Sequence, residues 1–186
     1  SDLPQIRLTA HQSILFCDLD PNDRSKLEGV IKKRGLPLTE DLSNVRRWSI
    51  ACVALPTCGL AITESERALP GVIDVMEKKL SELGLEKELF TVRMTGCPNG
   101  CARPYNADIG LVGKAKGKYT IYVGGSRLGT RLGYIYKDLI PLESITDTLL
   151  PLFQAFKEER QAKESFGDFC ARVGQSAAQE YVTRTQ

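Results

Sequence analysis

Hydrophobic positions along this chain switch between a two-residue and a helical period without settling into a regular alternation of strand and helix. Ile6 and Leu8 alternate with Arg7 and Thr9, and Ile14-Leu15-Phe16 follows as an apolar run. Residues 5–17 therefore read as extended, with that run buried. Asp20-Pro21 reads as a helix start, with Asp as the cap and Pro in the first turn. Leu27, Val30, Ile31 and Arg34 continue at helical spacing, and Gly35 can close the helix in a left-handed conformation. Pro37, Asp41, Ser43 and Asn44 mark 36–45 as a connection and a soft boundary between units.

Beyond that boundary, Val72, Ile73, Met76, Leu80 and Leu83 line one face of a helix that stops at Gly84. Phe90, Val92 and Met94 alternate with Thr91, Arg93 and Thr95, the pattern of a half-buried strand. Residues 109–112 and 119–123 read as two further strands joined by Gly113-Lys114-Ala115-Lys116-Gly117. Ile145, Leu149, Leu152, Phe153 and Phe156 give another helix. Pro151 is expected to break or kink it, because its ring meets the carbonyl of Asp147. Ser165 to Asp168 fits a capping box for a short helix carrying Phe166, Phe169 and Val173, closed by Gly174. Mixed elements in this order imply an α+β architecture.

Composition narrows the chemistry by exclusion. The 186 residues suffice for one sizeable domain, or one domain and part of a second, and 42% hydrophobic with 26% charged residues is ordinary for a globular chain. A net charge of +2 gives no case for nucleic-acid binding. His11 is the whole imidazole supply, which argues against histidine-rich zinc catalysis and against a hydrolase triad. No apolar run approaches the length of a membrane span, and Ser1-Asp2-Leu3-Pro4 lacks the basic and apolar regions of a secretory signal. The expected location is the cytoplasm, with the plastid stroma as the alternative. Ser1 has no preceding Met, so a processed or shortened chain is expected.

Four cysteines in two close pairs carry the most specific signal: Cys52-Val-Ala-Leu-Pro-Thr-Cys58 and Cys97-Pro-Asn-Gly-Cys101. Thiolates suit soft metal centres rather than magnesium or calcium, and without a secretory signal an even cysteine count reads better as metal ligation than as disulfides. Four match the ligand count of a cubane cluster. The wide first gap suits a cubane, whose irons are spread apart, better than a single zinc ion. Iron–sulfur, structural zinc and free or disulfide-bonded cysteines all stay open on spacing alone. The turn at 96–101 offers glycine-flanked backbone N–H groups and the Asn99 amide as donors toward cluster sulfurs. Cys17 and Cys170 lie in apolar runs and read as small buried hydrophobes.

The segments Ala51-Cys52-Val53-Ala54-Leu55-Pro56-Thr57-Cys58 and Thr95-Gly96-Cys97-Pro98-Asn99-Gly100-Cys101-Ala102-Arg103-Pro104 resemble the paired cysteine motifs of the siroheme sulfite and nitrite reductases. Leu111-Val112-Gly113-Lys114-Ala115 and Lys163-Glu164-Ser165-Phe166-Gly167-Asp168-Phe169 resemble the assimilatory sulfite reductases in particular. Ala102-Arg103-Pro104-Tyr105 and Lys163-Glu164-Ser165 resemble the ferredoxin-dependent branch.

The resemblance implies a 4Fe-4S cluster held by Cys52, Cys58, Cys97 and Cys101, with Cys101 also bridging to a siroheme iron as its axial ligand and so taking part in catalysis. It implies that Arg103, Asn99, Thr57 and Gln12 lie beside the cofactors. An Arg–carboxylate contact is the physical reason to expect Arg103 at a macrocycle rich in carboxylates. It further implies six-electron reduction of sulfite to sulfide with ferredoxin as donor. Residues 1–36 would be the trailing part of a ferredoxin-like half-domain and 43–186 the 4Fe-4S, siroheme-binding domain. Family members are considerably longer, and their sulfite-gripping residues belong to an N-terminal half outside this sequence; that half is an expected partner, and the 186 residues alone are expected to be inactive. Lys114, Lys116 and Lys118, with Arg127, Arg131 and Lys137, form a basic stretch suited to an acidic electron donor.

Overall fold

The computed structural model describes residues 5–181, and the chain divides into two units at Ser43/Asn44. In the first, β1 (Gln5–Leu8) and β2 (Ile14–Cys17) pair antiparallel, Leu8 facing Ile14 and Gln5 facing Cys17. The Asp20 carboxylate accepts from the Asn22 amide and opens a short turn over Pro21–Asp23, which leads into α1 (Arg24–Lys33). Gly35, at φ 69°, ends it as the sequence requires. The apolar run of β2 is not buried as its pattern predicts: Ile14 is 59% and Leu15 51% exposed, and Leu8 in β1 reaches 83%. A two-stranded ribbon has no second layer with which to cover its own faces.

The second unit begins with α2 (Asn44–Arg47), one turn whose Arg46 is bound by Glu77 and Asp74. A five-stranded sheet follows in spatial order β3 (Ser49–Ala51), β4 (Val92–Thr95), β5 (Ile109–Ala115), β6 (Lys118–Val123) and β7 (Tyr134–Pro141). The first three strands run parallel and the last three antiparallel. Three helices, α3 (Leu69–Glu82), α4 (Ile145–Glu159) and α5 (Phe166–Glu180), complete an α+β domain.

The hydrophobic core joins Val92, Met94, Ile109, Leu111, Ile121 and Val123 of the sheet to Ile73, Met76, Leu80, Leu149, Leu152, Phe153 and Phe156 of the helices. Phe90 meets Phe153, Phe156 and Phe166 at centroid distances of 5.5, 6.0 and 5.3 Å. Such aromatic pairs add about 0.5–1.5 kcal/mol each beyond their area burial. This cluster ties α4 and the start of α5 to the entry of β4.

Several expectations change. Strand β4 is buried on both faces, Arg93 (3% exposed) and Thr95 (1%) included, because it is flanked by two strands and covered above and below. Pro151 does not end α4, which runs continuously across it; Leu149, Leu152 and Phe153, all at 0% exposure, anchor the helix on either side. At the start of α5, the Ser165 hydroxyl accepts from the Asp168 amide and donates to its carboxylate. Gly174 (φ 77°, ψ 168°) breaks α5 where a stop is read from the sequence, but helical residues resume after it. Strands β3 and β7 carry no clear pattern of their own: one has three residues, and the other pairs with β6 through register shifts.

Candidate metal centre

Strands β3 and β4 are parallel neighbours, Ala51 opposite Met94, so both cysteine loops leave the sheet at the same end. Cys52 directly follows β3, and its amide continues the ladder to the Met94 carbonyl at 3.1 Å. Cys97 stands two residues beyond the end of β4. Sequence separation between the pairs is thereby cancelled by strand pairing.

Gly96 staples the two loops. Its carbonyl accepts from the Ile62 and Thr63 amides at 2.8 and 3.1 Å, and its own N–H donates to Cys52 Sγ at 3.3 Å. A side chain cannot stand here: a Cβ on Gly96 would lie 2.5 Å from the Thr63 carbonyl oxygen and 2.7 Å from Ala54 Cβ. The first loop closes on itself through the Cys58 amide, which donates to the Ala54 carbonyl at 2.7 Å, with Ala54 buried at φ 47°. In the second, Gly100 (φ 69°) lies against the Tyr105 ring, and Tyr105 Oη donates to the Pro98 carbonyl at 2.7 Å. Burial and the neighbouring Tyr122 and Cys97 raise the Tyr105 hydroxyl above its ordinary pKa, so it remains a donor.

Cys97 is buried, Cys52 and Cys58 are partly buried, and Cys101 is exposed; none of the six cysteines forms a disulfide. Among the described residues no group of three or more His, Cys, Asp or Glu side chains is placed to hold a single metal ion. Ligands of one ion must meet at one point, whereas a cubane presents a separate iron to each thiolate. Four soft thiols on two stapled loops, with a backbone N–H already directed at one sulfur, fit a cubane as a donor set.

The other sequence-predicted residues lie on separate turns of the chain. Thr57 and Asn99 are exposed at the tips of the first and second cysteine loops. Arg103, also exposed, holds a left-handed φ of 57° just past Cys101. Gln12 sits in the β1–β2 turn of the first unit, also at φ 57°, beside an exposed His11. Cys170 is fully buried, which raises its thiol pKa well above the ordinary value, and Cys17 is partly buried at the end of β2.

The basic stretch separates into two ends of the sheet. Lys114, Lys116 and Lys118 are exposed on the β5–β6 turn, at the cysteine end, where the Gly117 amide donates to Thr63 Oγ1 at 3.0 Å. Arg127 and Arg131 lie in the β6–β7 connection at the other end. Arg131 is engaged with the Gly124 carbonyl and the Asp168 carboxylate, and Lys137 lies over the Tyr136 ring.

Residues 47–185 match the family model described as the nitrite and sulphite reductase 4Fe-4S domain. The chain belongs to that family. A sulfite reductase [ferredoxin] of Synechococcus elongatus is 48% identical over 94% of the chain and 28% of its own length. A sulfite reductase [NADPH] hemoprotein beta-component of Acidithiobacillus ferrooxidans is 51% identical over 90% of the chain and 30% of its own length. The chain thus spans less than a third of these relatives. Among solved structures, the Mycobacterium tuberculosis NirA protein superposes with a TM-score of 0.79 at 23% identity, over 93% of this chain and 33% of that one. This likeness shows a shared fold. Relatives of the ferredoxin and NADPH types match about equally well, so the lean toward one donor in the cysteine and tail motifs does not separate them.

Two contributors to this site fall outside the residues predicted from sequence: Thr63, which bridges the first cysteine loop to the β5–β6 turn, and Arg93 beneath the second loop. An arginine between Val92 and Met94, on the polar side of an alternating strand that enters the second cysteine loop, was the available clue to the latter.

Proposed function

We propose that this chain is the cluster- and siroheme-holding part of a sulfite reductase that takes sulfite to sulfide with a ferredoxin-type donor. The reading is carried by the Gly96 staple, which brings the Cys52–Cys58 and Cys97–Cys101 loops together at one end of the sheet. Cys52, Cys58, Cys97 and Cys101 would hold the cluster. Cys101, the exposed member, would be shared with the siroheme iron, and Arg103, Asn99, Thr57 and Gln12 would border the macrocycle. When bound, the cluster and siroheme supply the electron storage and the Lewis-acidic iron that a six-electron reduction needs. The chain's own part is to fix two thiol loops, direct an N–H at one sulfur and leave one thiol open to a neighbour. Residues 1–36 would be the trailing part of a ferredoxin-like half-domain, completed by an N-terminal half that grips sulfite. The exposed lysines 114, 116 and 118 at the cysteine end support an acidic protein donor.

An absorption spectrum with iron, sulfide and zinc analysis of the purified chain tests the reading. Four irons per chain and cluster absorption, with siroheme bands once a separately expressed N-terminal half is added, are the expected results. One zinc per chain and no visible absorption would remove it. A non-catalytic electron-transfer module, which needs the stapled thiol loops and the exposed lysines but no siroheme, is the second reading. It predicts a cluster without siroheme even after the N-terminal half is added. Nitrite turnover far exceeding sulfite turnover would overturn the substrate assignment, and unchanged ferredoxin-driven reduction at low salt after charge reversal of the three lysines would overturn the donor assignment.

A further inference from the structure

Arg93 is the buried arginine of the described residues, at 3% exposure, and no carboxylate hydrogen-bonds to it. The arginines that do form ion pairs lie nearer the surface, as Arg46 does with Glu77, Arg67 with Glu64 and Arg131 with Asp168. Arg93 instead spends Nη1 on two neutral acceptors, the Asn106 side-chain oxygen and the Arg103 carbonyl, the latter at 3.3 Å. Its Nε–H has no partner, and neither does the Thr95 hydroxyl two residues along the strand. The single carboxylate whose field supports its charge, Asp108, is committed to Thr91 and to the Gly167 amide. Burial and the neighbouring Arg103 both disfavour the guanidinium's charge.

The strand register explains why it lies there. Arg93, Gly110 and Tyr122 stand side by side across β4, β5 and β6, and the second cysteine loop passes over that row. Pro104 lies on Gly110, where a Cβ would come within 2.2 Å of the Pro104 carbonyl oxygen, and Tyr105 stacks edge-on against Tyr122 at 5.1 Å. Arg93 Nη1 fastens the same loop from below, at Arg103 and Asn106. Two residues of chain span at most about 7 Å, so the guanidinium lies within about 11 Å of the Cys101 backbone.

A buried cation with neutral partners is costly, by several kcal/mol before compensation, and persists where something offsets it. We propose that Arg93 is a positioning residue with two jobs: it clamps the loop bearing Cys97 and Cys101, and it is the counter-cation of the negatively charged thiolate-ligated cluster. The inference rests on the reading above, since the second job needs the cluster. At about 10 Å and an effective dielectric of about 20, one unit charge shifts a one-electron equilibrium roughly tenfold, which is about 59 mV.

Three chains decide it: wild type, Arg93→Met, which keeps the length and drops the charge, and Arg93→Lys, which keeps the charge and withdraws the guanidinium Nη1 that holds the loop. In the metal-free state, Met and Lys variants should both exchange the amide protons of residues 97–106 at least tenfold faster than wild type, with α3 and α4 unchanged. In the reconstituted state, redox titration followed by electron paramagnetic resonance should show the potential lowered by the tenfold equivalent in Arg93→Met and restored in Arg93→Lys. A purely structural arginine would not separate the two variants in potential. Wild-type exchange in both variants overturns the clamp. An unchanged potential in Arg93→Met, or an equal drop in Arg93→Lys, overturns the counter-charge. If Arg93→Met does not fold, the Lys variant's exchange decides the clamp, and Arg93→Gln replaces it in the titration under the same criteria. Failure of wild type itself to load iron would sink the functional reading while the exchange experiment still judged the clamp.

Discussion

The two faces of the β3–β7 sheet obey different rules. Beneath the helices the packing is largely apolar and its polar atoms are bonded: Phe90, Val92, Met94, Ile109 and Leu111 are each at 0% exposure, and the Tyr134 and Tyr136 hydroxyls donate to the Cys170 and Thr148 carbonyls. Under the second cysteine loop the same strands present Arg93, Thr95 and Gly110, with two polar atoms left unbonded. One face is built to hold the fold together. The other trades stability for a fixed set of polar and backbone groups beside the thiols, a pattern typical of functional sites.

The comparison should break most visibly on the helix side. Phe156→Ala removes a ring packed against Phe90, Phe166 and Phe169 and should cost about 3–5 kcal/mol in chemical unfolding, while leaving the intrinsic reactivity of the cysteine loops unchanged under native conditions. On the loop side, Gly96→Ala forces a Cβ onto the Thr63 carbonyl; a loss of about 1–3 kcal/mol is expected, together with accelerated amide exchange at residues 61–63 and poorer iron loading. Equal losses with no local change in exchange would mean that Gly96 is not the staple.

Acid titration sharpens the contrast further. Burial raises the Asp108 carboxyl above its ordinary pKa despite bonds from Thr91 and Gly167, so its contribution is fully present below the unfolded-state pKa and falls as pH rises through the raised native value. Asp168, held below its ordinary value by Ser165 and Arg131, behaves oppositely: its contribution is present above the unfolded-state pKa and is lost as pH falls through the lowered native one. The stability difference between wild type and Asp108→Asn should therefore shift in favour of the variant on going from acidic to neutral pH. For Asp168→Asn it should shift toward wild type over the acidic range. Parallel pH profiles would contradict the assignment. The smallest effect belongs to Thr95→Val, which deletes an unbonded buried hydroxyl. It should be neutral or stabilising by up to about 1 kcal/mol, and a clear destabilisation by thermal unfolding would reveal a partner for that hydroxyl.

Particular residues show how far the sequence reaches. The spacing of Val72, Ile73, Met76 and Leu80 locates α3, and Gly84 (φ 71°) its stop, because helix periodicity and left-handed glycine are local properties. The Ile14-Leu15 run misleads, since the same apolar pattern serves a covered strand and an uncovered ribbon. Pro151 misleads for a different reason: packing on either side of it outweighs a missing backbone bond.

By itself, the sequence determined the four thiols, their two short turns, the glycines those turns require and the family to which they belong. Only the tertiary structure decided that the turns leave one end of a parallel strand pair, that Gly96 binds them together, that three lysines share their end while two arginines do not, and that a guanidinium lies under the second loop. Strand neighbours and loop crossings depend on contacts between residues far apart along the chain, and no local pattern of hydrophobicity encodes which pairs will meet.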